Sequence, residues 1–231
     1  MVPILVTLLG MLAQQPVANP APSGSASRTL PSAPATPANS PLAVNPLTGL
    51  TSVSSINYQP LTGRQRLQLY WRQNYWSVGA YVGPVLSALI LDQATGTPEA
   101  WGGGMEGFGK RLGSRVLGSI IQGNIQAGLA VPLREDVRYI ESGKGSFGHR
   151  FMHAIVFSFV TYNNHGHVTP NIANLTGYYA STAIMTTWVP TSESLGHYTL
   201  VHGSESIGLS IPVNILQEFW PDLTRKFFHR P

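Results

Sequence analysis

The residues best placed to carry chemistry in this sequence are four histidines. His149 and His153 lie four positions apart, so in a helix both imidazoles project from the same face. His165 and His167 follow at a spacing of two, and imidazoles from such pairs can together bind one metal ion. The spacing predicts a metal site formed by these four side chains, in which no residue can be named as catalytic.

A structural role for the same histidines is the favoured interpretation. No glutamate that could serve as a hydrolytic base lies between His149 and His153, so the pattern of zinc proteases is missing. His149 then belongs to the basic start of a helix, and His153 packs partly buried. On this interpretation the protein needs no cofactor, and a metal-binding protein or a metal-dependent enzyme is the alternative.

A glycine-rich segment imitates two phosphate-binding motifs. Gly102–Gly107 matches G-x-G-x-x-G, and Gly104–Lys110 matches G-x-x-x-x-G-K. The first motif must follow a strand, whereas the residues before it are typical of a turn, and the second needs Ser or Thr where this chain has Arg111. We expect a glycine hinge that leads into a helix and no nucleotide site.

The composition removes several classes of function. The chain has 231 residues and no cysteine, which excludes disulfides, thiolate-bound metals and thiol nucleophiles. Only 10% of the residues are charged, against about 25% in an ordinary soluble domain. The net charge of +4 is small and dispersed, so we expect no nucleic-acid partner.

The N-terminal region differs in composition from the rest. Residues 1–18 begin with an apolar run that is too short to span a bilayer and is typical of a signal peptide. Residues 19–62 are rich in Pro, Ala and Ser and predict a disordered spacer. Residues 63–231 are the predicted folded domain. The sequence therefore predicts export to the cell envelope, either in the periplasm or at a membrane.

The folded domain contains four long windows without Asp, Glu, Lys or Arg. The first two approach the roughly 20 residues that cross a bilayer, although polar side chains interrupt them. Periodicity and cap residues predict an all-α bundle of about five helices, with Ser146 and Thr169 as N-caps. The windows are Gln73–Leu91, Val116–Leu133, Phe151–Ser192 and Ser206–Gln217; the predicted helices cover about 63–94, 104–130, 146–162, 170–188 and 203–228.

Small residues recur every fourth position in four of these helices. Residues four apart share one helical face, and a face without large side chains lets two helix backbones approach closely. The pattern predicts small-residue packing faces within a membrane-associated bundle, and self-association through the same faces. The predicted packing positions are Gly79, Gly83, Gly109, Gly113, Gly123, Gly177 and Gly208.

Three short segments of the folded part have distinctive sequences. Glu106–Arg111 follows Trp101, Leu133–Tyr139 alternates in charge and predicts surface ion pairs, and Glu218–Asp222 contains the sequence EFWPD. In these segments residues 64–230 resemble a group of uncharacterised exported bacterial proteins. The resemblance implies export and a shared architecture, and it supplies no activity and no catalytic residue.

The expected function is that of an exported, membrane-associated helical protein with a structural or binding role. A lipid membrane is the expected partner, because charge-free windows and small-residue faces are typical of helices in lipid. One alternative is the histidine-based metal protein. The other is a soluble periplasmic bundle that binds an apolar ligand between its helices.

Overall fold

The computed structural model describes residues 51–228, so the predicted signal peptide and most of the predicted spacer lie outside the described residues. The described part is mostly helical, which confirms the predicted all-α class. It contains six α-helices where about five are predicted. These are α1 Gly63–Trp71, α2 Gly79–Leu86, α3 Gly104–Leu133, α4 Phe147–Val156, α5 Ile172–Met185 and α6 Leu195–Phe228.

The extra helix arises because the predicted first helix, at 63–94, is interrupted. Ser77 leaves the helical region with φ −113° and ψ 149°. Its hydroxyl then accepts a hydrogen bond from the backbone N–H of Ala80 at 3.1 Å, as an N-terminal cap does. Two π-helical segments, Arg72–Trp76 and Ser87–Gln93, lie on either side of this break and α2. A serine that can cap a new helix thus separates α1 from α2.

The predicted spacer ends too late, because residues 51–62 belong to the fold. Strand β1, Ser52–Ser54, pairs in parallel with β2, Tyr139–Glu141. Leu61 is buried and packs against Leu69 of α1. Thr62 caps α1 through a reciprocal pair of hydrogen bonds with Gln65.

A small hairpin replaces the end of the predicted third helix. Strand β3, Val160–Tyr162, pairs antiparallel with β4, Val168–Pro170. The side chain of Asn163 accepts hydrogen bonds from the backbone N–H groups of His165 and His167, at 2.9 and 3.0 Å, and so closes the turn. A β-branched and aromatic run suits a strand better than a helix, which explains why α4 ends at Val156.

Two of the predicted helix starts have different outcomes. Ser146 is confirmed as the N-cap of α4, since its side chain accepts from the N–H of His149. Thr169 is wrong as the N-cap of α5, because it lies in β4 and Asn171 occupies the cap position. Helix α6 begins eight residues before the predicted start, because the hydroxyl of Ser194 accepts from the N–H of His197.

Helix α3 is the centre of the arrangement. It packs along α5 and against α2 with its following π-helical segment, while α6 packs on α5 and on α4. The interior is unusual in its chemistry. Among the described residues, the six largest fully buried side chains include three charged ones; the six are Arg111, Leu69, Ile140, Glu218, Asp136 and Ser158.

Candidate functional site

Glu218 is a carboxylate on the inner face of α6 and is only 1% exposed. It accepts hydrogen bonds from the hydroxyl of Tyr139 at 2.8 Å, the N–H of Ser142 at 3.0 Å and Nε of Arg150 at 3.0 Å. The same guanidinium donates to the backbone carbonyl of Glu218 and pairs with Asp222. The cluster therefore joins β2, α4 and α6.

Electrostatics make this cluster poor at proton transfer. Burial alone would raise the pKa of Glu218, but hydrogen bonds from His153, Ser142, Arg150 and Tyr139 outweigh it and lower that pKa to about 2. Burial, and then the nearby carboxylate, raise the pKa of the Tyr139 hydroxyl above its ordinary range. A general acid or base works best with a pKa near the working pH. The cluster is therefore suited to holding elements together.

A second buried ion pair lies in the loop between α3 and β2. Arg138 donates to the carboxylate of Asp136 through Nε at 3.0 Å and Nη2 at 2.6 Å. Tyr58 donates to the same carboxylate at 3.1 Å, and Arg138 also donates to the carbonyl of Gln59 at 2.6 Å. The prediction of surface ion pairs for this segment is wrong, because the bidentate pair is buried beneath residues 58–59. We call Asp136, Arg138, Arg150 and Glu218 the charged junction.

Glu135 extends the charged junction to a helix terminus. Its carboxylate accepts from the N–H groups of Ile172 at 3.2 Å and Ala173 at 2.9 Å, the first residues of α5. Burial raises the pKa of this carboxyl, and those two hydrogen bonds oppose the rise. A carboxylate at this position also interacts favourably with the helix dipole. Glu135 thereby positions α5 against the loop after α3.

The contacts of Arg111 account for the glycines of this segment better than the predicted hinge does. Its guanidinium is 1% exposed and donates to the carbonyls of Thr97 at 2.8 Å, Pro98 at 3.0 Å and Gly102 at 2.8 Å. A Cβ at Gly107 would lie 2.4 Å from the Gly102 oxygen and 2.6 Å from Nη1 of Arg111. The glycine therefore makes room for an arginine that fastens the loop to α3, and no phosphate is required.

The four predicted metal ligands lie in two places. His149 is exposed at the start of α4, and His153 stacks on Phe157 with ring centroids 4.0 Å apart. His165 and His167 lie in the turn of the hairpin, with ring centroids 6.5 Å apart. Within residues 51–228, no three His, Asp or Glu side chains are grouped to hold a metal ion. The metal site stays a prediction.

The predicted packing glycines fall into two groups. A Cβ at Gly123 would lie 1.8 Å from Oδ1 of Asn74, and one at Gly177 would lie 3.0 Å from the carbonyl oxygen of Gln122. Gly79 is partly buried. A Cβ would meet no atom of the described chain within 4 Å at the other four positions, Gly83, Gly109, Gly113 and Gly208.

The buried face of α3 is a different one from the predicted stripe through Gly109 and Gly113. It contains Gly107, Arg111, Ser114 and Gly118, and a Cβ at Gly118 would lie 2.5 Å from the sulfur of Met185. Positions two apart point in nearly opposite directions on a helix. A pattern of small residues every fourth position does not identify this face, because Arg111 interrupts it.

Apolar side chains are exposed along α2 and α6. Trp76 is 80% exposed and Ile90 is 59% exposed, although the intervening sequence has no charged residue. On α6 the exposed apolar residues recur at intervals of three or four, which forms one continuous stripe. We call these residues the outer apolar surface: Trp76, Val78, Val82, Val85, Leu86, Leu89 and Ile90 of the α2 region, with Leu216 and Trp220 of α6. Leu209 and Val213 of α6 are also exposed, but they line a cavity between α3, α5 and α6.

A cavity of about 490 Å³ lies between α3, α5, α6 and the segment around α2. Eight of its lining side chains are carboxamides, among them Gln122, Asn174 and Gln217. A second cavity of about 420 Å³ lies between α1 and α3 and shares Gln73 and Asn74 with the first. The walls of the first cavity thus combine carboxamides with apolar side chains, and those of the second are mainly apolar. No motif in the sequence singled out these carboxamides.

No protein-family model, no curated protein and no solved structure matches this chain. The resemblance to exported bacterial proteins stays a prediction. Function is therefore inferred from the outer apolar surface and the carboxamide-lined cavity.

Proposed function

We propose that the protein is an exported, membrane-associated helical protein that attaches to lipid through the outer apolar surface and has a binding role in the cell envelope. The observation that carries the proposal is the exposure of large apolar side chains along α2 and α6 in a fold that buries several charged groups. Charged side chains such as Glu218 and Arg111 are 1% exposed, whereas Trp76 is 80% exposed. Such an arrangement is stable where the surroundings of the helices are apolar.

Lipid is favoured as the occupant of this surface for two reasons. Soluble monomers rarely expose a contiguous apolar patch of more than a few hundred Å². Trp76 of this surface and Trp71, five residues before it in the chain, are both exposed, and tryptophan is enriched where a membrane meets water. Each large apolar side chain transferred from water to lipid contributes roughly 1.5–3 kcal/mol.

The length and composition of helix α3 also support membrane association. Of the helices within residues 51–228, it alone has the length and the apolar composition to cross a bilayer. The core helix of a soluble protein can have the same composition, but such a helix is mostly buried. Only 17% of the most apolar stretch of α3 is buried. Self-association through open positions such as Gly109 and Gly113 is compatible with this exposure.

The apolar-ligand alternative fits the second cavity, which is mainly apolar, better than the larger one, in which carboxamides and hydroxyls lie among the apolar groups. In the larger cavity an apolar ligand would leave those polar groups without hydrogen bonds, at a cost of roughly 1–3 kcal/mol for each one. The metal alternative can be decided by elemental analysis of the purified protein. Stoichiometric metal that is lost in a His153→Ala variant would support it.

Cell fractionation tests membrane association. Membranes from expressing cells are washed with alkaline carbonate, which removes proteins held only by charge, and the protein is followed by immunoblot. We expect it in the membrane pellet. A matched variant with Val85→Asp and Leu89→Asp should shift toward the supernatant, and a Ser192→Asp variant, altered at an exposed position outside the apolar surface, should not. Recovery of the unmodified protein wholly in the soluble fraction would contradict the proposal.

A further inference from the structure

The carboxamide-lined cavity between α3, α5 and α6, whose walls are also partly apolar, has the size of a ligand site. Its volume of about 490 Å³ lies within the range of roughly 300–1,000 Å³ that is typical of small-molecule sites. The same space would hold about 16 waters at roughly 30 Å³ each. The chemistry of the walls must therefore indicate what the cavity accepts.

Gln217 is the most informative residue of the lining. It lies on the inner side of α6, is 9% exposed, and makes no hydrogen bond through its side chain to any described residue. Its amide atoms keep access to the cavity, because the buried side-chain polar atom without a partner in residues 51–228 is Oγ1 of Thr199 and not an atom of Gln217. Its donor and its acceptor are therefore both directed to whatever fills the cavity.

A second carboxamide group lies on the α3 side of the cavity. Nε2 of Gln122 donates to Oδ1 of Asn174 at 3.1 Å and to Oε1 of Gln126 at 3.3 Å. These contacts fix the orientation of the Gln126 amide and leave its own NH₂ without a partner in residues 51–228. The cavity thus offers fixed donors and acceptors from α3 as well as from α6.

The charged groups in the lining already have partners. Arg115 donates to both oxygens of Asp92, at 2.8 and 2.6 Å, and so forms a complete bidentate pair. A ligand with a net charge would find no unpaired counter-ion in this lining. The other ionisable side chains of the lining also have hydrogen-bonded partners: Arg138 with Asp136, Glu193 with His197 and His202 with Glu205.

We infer that this cavity binds an uncharged molecule rich in hydroxyl groups, such as a sugar or a polyol. A hydroxyl both donates and accepts, and so matches the two functions of a carboxamide. The inference deepens the binding role proposed above, but it does not depend on attachment to a membrane. Failure of one test therefore leaves the other proposal intact.

Ligand titration of the full-length protein, purified in detergent, tests this inference. The probes are glucose, maltose, sucrose and myo-inositol, with glucose 6-phosphate as the charged comparison and N-phenylnaphthylamine as the apolar one. Binding is measured by isothermal titration calorimetry and by saturation-transfer NMR. We expect saturable binding of at least one neutral probe, at least tenfold tighter than glucose 6-phosphate.

Variants locate the binding. Gln217→Leu and Gln126→Leu should each weaken the affinity for that probe at least tenfold, with circular dichroism used to establish that the helices are intact. Gln68→Leu is the matched control, since Gln68 lies on α1 outside this cavity, and it should change the affinity less than twofold. If no neutral probe binds, the cavity holds water alone and the inference fails. It also fails if the apolar probe binds more tightly than every sugar, or if neither cavity variant weakens binding.

Discussion

The charged junction and the α2 region differ in which side chains they bury: the junction buries charged groups, and the α2 region exposes apolar ones. In the junction, Asp136 and Glu218 are each 1% exposed and are surrounded by arginine and tyrosine donors. In the α2 region, Trp76, Val85 and Ile90 are exposed although nothing charged lies between them in the sequence. Several charged side chains of the chain are thus buried, although others are exposed, and part of its apolar surface lies outside.

The contrast teaches where the stability of this fold resides. A buried ion pair is costly to desolvate, and it holds only when its geometry and its remaining hydrogen bonds are complete. The junction satisfies both conditions and fastens β2, α4 and α6 to one another. The outer apolar surface contributes less to the isolated fold, because its side chains remain 36–80% exposed. We therefore expect junction variants to change folding and surface variants to change lipid binding.

The largest expected effect is that of Glu218→Gln. The change leaves Arg150 without its buried carboxylate and should lower the free energy of unfolding by about 3–5 kcal/mol. Urea denaturation in detergent, followed by circular dichroism, measures the loss. Glu99→Gln is the control, because Glu99 is exposed, and it should stay within about 0.5 kcal/mol. Equal unfolding midpoints for the two variants would contradict the claim that the charged junction stabilises the fold.

Acid should weaken the junction through the same residue. The pKa of Glu218 is about 2 in the folded protein and 4.5 as an ordinary glutamate. The unfolded chain therefore binds the proton first, so this stability is complete above about pH 5 and is lost as the pH falls toward 2. Its size is about 3 kcal/mol.

Thermal melts between pH 2 and pH 7 measure this loss. The Glu218→Gln variant removes the titrating group, so the difference between the two profiles isolates Glu218 from the other carboxyls. We expect the unmodified protein to lose its advantage over the variant below pH 5. Parallel profiles over the whole range would show that Glu218 is not held as an anion.

A matched pair of alanine variants tests the same contrast within α3. Gly107→Ala would place a methyl group against the Gly102 carbonyl and Arg111, and it should destabilise the fold by about 1–3 kcal/mol. Gly109→Ala projects into open space and should stabilise the helix by up to about 1 kcal/mol. Urea denaturation gives both values. A destabilising effect at Gly109 would instead support the predicted packing face, through contacts with a second copy.

The smallest effect on folding is expected at the outer apolar surface. Leu89→Asp should change the free energy of unfolding in detergent by less than about 0.5 kcal/mol. It should weaken binding to lipid vesicles about tenfold or more, because a charge replaces an apolar side chain worth about 1.5–3 kcal/mol. Flotation with phosphatidylcholine vesicles measures the binding. If Leu89→Asp destabilised the fold but still floated with the vesicles, the outer apolar surface would contribute to folding and not to lipid binding.

The class of fold is accessible from the sequence, whereas several element boundaries are not. Ser146 works as a cap signal because its hydroxyl can meet the N–H three residues later. Thr169 carries the same signal, but pairing of Val168–Pro170 with Val160–Tyr162 takes precedence over it. Local sequence propensity does not reveal which strand will pair with Val168–Pro170, because that pairing is a tertiary contact.

The interior was harder to predict than the helices. Glu218 directly follows a charge-free window, and a lone carboxylate in such a position is a usable signal for burial. The partners of Glu218 come from residues 68 and 79 positions away, at Arg150 and Tyr139, so no local pattern connects them. The carboxamides of the cavity are similarly scattered along the chain, and only the packing of α3, α5 and α6 assembles them.

Spin labelling tests most directly whether the outer apolar surface faces lipid. The chain has no cysteine, so Val85→Cys and Ser192→Cys each provide a single labelling site. In reconstituted vesicles, we expect the label at residue 85 to be relaxed mainly by oxygen, which concentrates in lipid. The label at residue 192 should be relaxed mainly by a water-soluble nickel chelate. Equal access of the nickel chelate to both labels would contradict attachment to the membrane through α2.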